Sequence, residues 1–261
     1  MKKITSRDNT LYKTLHKLAS STRERKKLGL SLLDGVHLIE MYQTQYGAPK
    51  TLLLSESGEK HIEIAALIKK SGAAELILLP DAMFADISPV DTPLGILALI
   101  DTPKPQPARD VDFCVMLEAI QDPGNLGAIL RSAAAAGVAH VFLSSHCAFP
   151  WSPKVIRAGM GAHFLLSIHE GADLMHIAQN FKGKVLAMRM AAKQSIYQTD
   201  LRGPIALLIG NEGAGLSAEL QQAATTQVSI PMPGKMESLN AAAAAAICLF
   251  ERLRQMKIEV V

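Results

Sequence analysis

The chain lacks any uninterrupted apolar run near the ~18 residues of a membrane span, and even the apolar run at 241–250 is too short. No membrane partner is expected. Met1-Lys2-Lys3 leads into polar residues rather than an apolar segment, so no secretory signal is read and a cytoplasmic location is expected. Cysteine is scarce. Cys114, Cys147 and Cys248 are far apart and form no CxxC or Cys/His cluster with zinc-ligand spacing. They read as buried thiols in a reducing compartment, and no metal is expected. Phosphate-binding fingerprints are missing as well. Gly210-Asn-Glu-Gly-Ala-Gly215 lacks GxGxxG order, and Leu216 stands where a P-loop has Lys, which counts against NAD and ATP. Ser238 has no nearby His and no Ser-His-Asp order is visible, so hydrolysis is not indicated.

What is present is an ordinary α/β composition, with 49% hydrophobic and 20% charged residues over 261 positions. That length suits one large domain or two ordinary ones. The charge is unevenly spread: residues 1–50 hold 10 Lys/Arg against 4 Asp/Glu, whereas 51–261 hold 17 against 20. A basic arm on a near-neutral body suggests a polyanionic partner, with a solvated helix surface as the plainer reading. Arg23, Arg25, Lys26 and Lys27 are its densest part and are the candidate residues for binding that polyanion.

A boundary falls at residues 101–110, where three prolines in a polar stretch favour a stiff connector. Domains are therefore expected at 1–100 and 111–261. Before the connector, 9–18 and 62–70 have helical spacing, and 51–54, 75–79 and 96–100 read as strands. After it, strands are expected at 113–119, 140–144, 164–168, 184–188, 205–209 and 227–230. Helices are expected between them at 126–136, 153–159, 172–181 and 218–224, and last at 239–256. Near-continuous apolar strands separated by helices predict a parallel sheet covered on both faces.

Three segments carry chemistry. Each starts where a strand-like run ends and passes through Gly or Pro into a helix, the place where open α/β sheets put their ligands. The first is Asp122-Pro123-Gly124-Asn125-Leu126-Gly127…Arg131. Asn125 is placed to cap the helix that follows. Arg131 interrupts an apolar or small run, and a long side chain there leans back toward the helix start, unless it is held in a buried ion pair. The second is Ile209-Gly210-Asn211-Glu212-Gly213-Ala214-Gly215, whose glycines let a ligand lie against bare backbone. Glu212 is expected either to bind ligand, to fix Arg131, or to face the helix from Ser217 onward. In the third, Ile230-Pro231-Met232-Pro233-Gly234…Glu237-Ser238-Leu239-Asn240, Ser238 is the expected N-cap of the last helix, and Leu239, first into it, is suited to pack on a flat apolar ligand.

In this order and spacing the segments resemble the three signature motifs of the SpoU (TrmH) branch of the SPOUT RNA methyltransferases. Ser6, Arg7, Asn9, residues 23–27 and Leu33-Asp34-Gly35 with His37-Leu38 look like parts of that family's L30e-like RNA substrate-binding domain, expected over 1–100, with Asp34 where Glu is usual; Lys154-Val155-Ile156-Arg157-Ala158-Gly159 matches a further stretch, with Gly159 where Ser is common. The resemblance implies a C-terminal α/β domain with a parallel sheet and a deep trefoil knot, and a homodimer through that domain. It also implies S-adenosyl-L-methionine as cofactor, bound by Ile209, Gly210, Ile230, Met232 and Leu239. The implied reaction is methylation of a ribose 2′-hydroxyl in structured RNA, 23S-type rRNA first and tRNA second. Arg131, Asn125, Glu212, Ser238 and Asn240 would form the catalytic set, with Arg131 stabilising the developing alkoxide. A base-methylating SPOUT enzyme and a catalytically silent RNA-binding protein of the same fold are the competing readings; a Rossmann dehydrogenase lacks its loop.

Overall fold

The computed structural model describes residues 1–72, 74–109 and 111–256; Asp110, the last residue of the expected connector, lies outside them. Along the chain run β1 (Lys2–Lys3), α1 (Thr10–Ser20), α2 (Thr22–Leu28), β2 (Leu30–Asp34), α3 (Val36–Tyr46), β3 (Thr51–Ser55), α4 (Ile62–Lys70), β4 (Glu75–Leu79), α5 (Asp81–Ala85) and β5 (Ile96–Asp101). There follow β6 (Phe113–Leu117), α6 (Pro123–Ala135), β7 (His140–Leu143), α7 (Pro153–Gly159), β8 (Ser167–His169) and α8 (Leu174–Asn180). The remainder is β9 (Lys184–Met188), β10 (Gln194–Ser195), β11 (Ile205–Ile209), α9 (Ala218–Ala223), β12 (Thr226–Ser229) and α10 (Ala241–Gln255).

Two compact units result: Met1–Pro103 with Trp151–Phe164, and Lys104–Pro150 with Leu165–Val261. The division differs from the expected one at Trp151–Phe164, which groups with the first unit. There α7 packs on β2. Gly161, at φ +90°, allows close approach to Met41, whose Sδ would lie 2.2 Å from an added Cβ.

The first unit has a five-stranded sheet in the order β1-β4-β3-β5-β2. Neighbours are parallel except that β5 runs antiparallel to both β3 and β2. Leu15 and Leu18 of α1 bury against Leu53, Ile77 and Phe84. Periodicity does not find α2, because TRERKKL has no apolar face; it is set instead by its ends, with Ser21 Oγ accepting from Glu24 N–H and Gly29 closing in the left-handed region at φ +63°.

The second unit holds the expected parallel sheet, seven strands in the order β10-β12-β9-β11-β6-β7-β8 with every pairing parallel. All five residues of β11 are buried, which explains why IALLI shows no alternation. Cys114 and Cys248 are buried thiols, each pushed up to about 12, first of all by that burial; Cys147 is half-buried. The expected strand at 164–168 starts later, since Ala162–Phe164 form a 3₁₀ turn. Among the described residues no helix is long and apolar enough to cross a membrane, and no group of three or more His, Cys, Asp or Glu can hold a metal ion.

Candidate active site

The carboxyl ends of β9, β11 and β12 open into a cavity of about 530 Å³ lined by parts of all three chemical segments. That is a usual size for a small-molecule site. Asn125, Ile209, Gly210, Glu212, Ile230, Met232, Ser238, Leu239 and Asn240 all line it.

A chain of hydrogen bonds ties the segments together. Glu212 Oε1 accepts from Asp122 N–H at 3.2 Å and from Asn125 Nδ2 at 3.1 Å, and its Oε2 accepts from Gln121 N–H at 3.3 Å. Asn125 Oδ1 accepts in turn from Asn240 Nδ2 at 2.8 Å. Asn240 Oδ1 accepts from the N–H groups of Ala242 and Ala243, capping α10. Burial would raise the pKa of Glu212, but these donors outweigh it and hold the carboxyl below its ordinary 4.5.

The turn of the second segment is organised by Asn211, which sequence reading did not single out. Its Oδ1 accepts from Gly213 and Ala214 N–H, both at 2.9 Å, and its Nδ2 donates to Ala119 O at 2.8 Å. Ala119 is held at φ +52°, a strained conformation for a residue with a Cβ, and its N–H donates to Ser144 Oγ. Asn before a Gly-rich run is a common turn signal, and it was the available clue. Gly210 lacks a side chain for a reason other than ligand approach: an added Cβ would lie 2.2 Å from the carbonyl carbon of Gly215. Glu118 was also missed. Its Oε2 accepts from Ser217 N–H at 2.7 Å, so Glu118 rather than Glu212 faces the start of α9.

Several expectations are corrected. Asp122, not Asn125, caps α6, accepting from Asn125 N–H at 2.7 Å. Pro123 occupies the first turn, where its missing N–H costs nothing, and so moves the helix start upstream. Ser238 and Leu239 precede α10, whose cap is Asn240; Leu239 is 41% exposed on the cavity wall. Arg131 is exposed on α6 and is no part of the cavity lining, and its side chain has no hydrogen bond or ion pair among the described residues. The buried ion pair is therefore not formed, and Glu212 does not fix Arg131. Helix pitch explains this: residues six apart lie roughly 9 Å apart along the axis and about 120° apart around it.

In the first unit Arg23, Lys26 and Lys27 are exposed on α2. Arg25 is the exception, at 4% exposure. Its guanidinium donates to Leu18 O, to Ala19 O at 3.2 Å and to Thr22 Oγ1 at 3.0 Å, closing the end of α1. Burial lowers its pKa. Arg25 is a structural residue rather than a surface cation.

The SpoU rRNA Methylase family matches residues 112–250, and the MRM3-like substrate binding domain matches residues 9–98. The chain belongs to the SpoU rRNA methylase family. It is 31% identical over 257 residues to the 23S rRNA (guanosine(2553)-2′-O)-methyltransferase of Bacillus subtilis, spanning 96% of this chain and 98% of that one. A solved RNA 2′-O ribose methyltransferase superposes with a TM-score of 0.84 at 29% identity, covering 98% of this chain and all of the other (100%). An AdoMet-bound rRNA methyltransferase from Sinorhizobium meliloti gives 0.84 at 27% identity, with 98% of each chain covered. As a SpoU family member the chain carries both halves of the arrangement, the substrate-binding domain and the methylase domain.

Proposed function

We propose that this protein methylates a ribose 2′-hydroxyl of rRNA, using S-adenosylmethionine. The observation that carries the reading is the Glu212–Asn125–Asn240 chain, which brings the three segments together at one cavity of suitable volume. The residues fit the cofactor. Ile209, Ile230, Met232 and Leu239 give apolar walls for an adenine, and the turn at Gly210 presents backbone polar groups beside them. Bound there, S-adenosylmethionine supplies an electrophilic methyl group on a sulfonium.

The chain's own residues supply positioning and charge. Asn125, Ser238 and Asn240 orient the ribose at the cavity mouth, with Glu212 locking Asn125. A ribose hydroxyl is weakly acidic, so its attack needs stabilisation of the alkoxide that develops. Guanidinium groups keep their proton in proteins, which makes Arg131 a donor to that oxygen rather than a base. Its exposure on α6 is consistent with completion of the site by a second copy. Phe250 on α10 is 46% exposed and Met236 before it 75%, two apolar side chains that a homodimer interface would cover. The trefoil knot and a cytoplasmic location belong to the same reading.

The test is to incubate the purified protein with rRNA and methyl-labelled S-adenosylmethionine, then locate label by nuclease digestion and mass spectrometry. Label on a 2′-O-methylnucleoside supports the proposal; label on a base, or none on the rRNA, refutes it.

A further inference from the structure

Among the described residues lining the cavity, Glu212 carries the one negative charge and Arg189 the one positive charge. Glu212 is committed to the N–H donors of the first segment. Arg189 belongs to none of the three segments. It follows β9 directly, where its backbone N–H donates to Val228 O at 2.9 Å. Its side chain is braced by a run of glutamines. Nη1 donates to Gln227 Oε1 at 3.1 Å, Gln227 Nε2 donates to Gln221 O at 3.3 Å, and Gln221 Nε2 donates to Leu216 O at 2.6 Å. A guanidinium has five N–H donors, and this bracing uses one of them, so the others can serve a ligand.

We propose that Arg189 holds the α-carboxylate of the cofactor's amino-acid portion. This rests on the methyltransferase reading above and adds a specificity-determining residue to it. S-adenosylmethionine carries a sulfonium at one end of its amino-acid chain and, at the other, a carboxylate beside an α-ammonium; of these only the carboxylate can accept from a guanidinium. A carboxylate beside Glu212 would meet like charge, and a sulfonium beside Arg189 would do the same. The opposite orientation satisfies both and turns the sulfonium toward Glu212, Asn125 and Asn240, where the ribose is to be methylated. A cation pre-placed by its own hydrogen bond loses less side-chain freedom on binding.

Calorimetry on the full-length protein tests this with two ligands, S-adenosylhomocysteine and 5′-methylthioadenosine, the latter lacking the amino acid. Arg189→Ala is expected to weaken S-adenosylhomocysteine roughly tenfold or more and to leave 5′-methylthioadenosine within about twofold, with unchanged thermal unfolding. Arg189→Lys should recover part of the loss. Equal weakening of both ligands, or of neither, overturns the assignment. So does a variant that binds S-adenosylhomocysteine normally and loses affinity for an rRNA fragment, because the cation then serves a phosphate. Wild-type protein that binds no S-adenosylhomocysteine defeats the cofactor reading itself, before any substitution is made.

Discussion

Asn240 donates to Asn125 across 115 positions of chain, at 2.8 Å. The direction of that bond is set by its surroundings. Asn125 must turn its amide N–H toward Glu212, since an ionised carboxylate only accepts, and Asn240 must turn its oxygen toward the N–H groups of Ala242 and Ala243. One orientation satisfies every link. The cap of α10 and the first turn of α6 are thereby a single polar unit.

That unit should be energetically coupled. A double-mutant cycle with Asn125→Ala and Asn240→Ala is expected to show an interaction of about 1 kcal/mol in denaturant unfolding. Asn240→Ala should be the costlier single change, because it also removes a helix cap. Strict additivity of the two losses would break the link.

Protonation of Glu212 should weaken the same unit. Burial raises its pKa and the N–H donors lower it by more, leaving the folded value below 4.5. A depressed carboxylate contributes stability above its unfolded pKa and loses it as pH falls through the folded value. Glu212→Gln should therefore cost ~1–2 kcal/mol near neutrality, and the gap to wild type should close below the folded pKa. Urea titrations across acid pH measure it; a gap that widened on acidification would reverse the sign.

Arg131→Ala should leave the melting temperature nearly unchanged, since its side chain is exposed on α6. Single-turnover methylation should nonetheless fall ~10²–10³-fold, with S-adenosylhomocysteine affinity retained. Arg131→Lys should rescue incompletely, as a point charge lacks the planar fork. Wild-type rates in the alanine variant would remove Arg131 from the mechanism.

On α2, neighbouring basic residues should behave in opposite ways. Lys26→Ala with Lys27→Ala is expected to weaken rRNA binding, with the fold intact. Its salt dependence should become shallower by about one unit for each phosphate that is no longer neutralised. Arg25→Ala should instead destabilise the first unit by ~1–3 kcal/mol, because Leu18 O and Ala19 O lose their donor in a buried place. Equal salt slopes for the double variant and wild type would detach α2 from RNA.

The methylase half was the more legible in sequence. Its strands are apolar because both faces are covered, so runs such as IALLI marked β11 at its observed bounds. Capping was less legible. Asp122, Asn125, Ser238 and Asn240 can all cap helices, and the choice depended on Pro123 and on partners more than eighty positions away. Arg131 was misdirected because motif spacing says nothing of which way round a helix a side chain points. Glu118, Asn211 and Arg189 stayed hidden because their partners, Ser217, Ala119 and Gln227, become neighbours only through sheet order.

The excursion Trp151–Phe164 bears on how the protein is made. During synthesis, the ribosome releases Met1–Pro103 long before the segment that finishes the same unit. Until Phe164 emerges, β2 is without α7, and Tyr42 is without the Phe164 ring that meets it edge-on at 5.5 Å. The first unit is thus complete only after Lys104–Pro150 of the second has been translated. A fragment ending near residue 103 would carry an uncovered apolar flank, and one beginning near residue 104 would carry a helix with nothing to pack on.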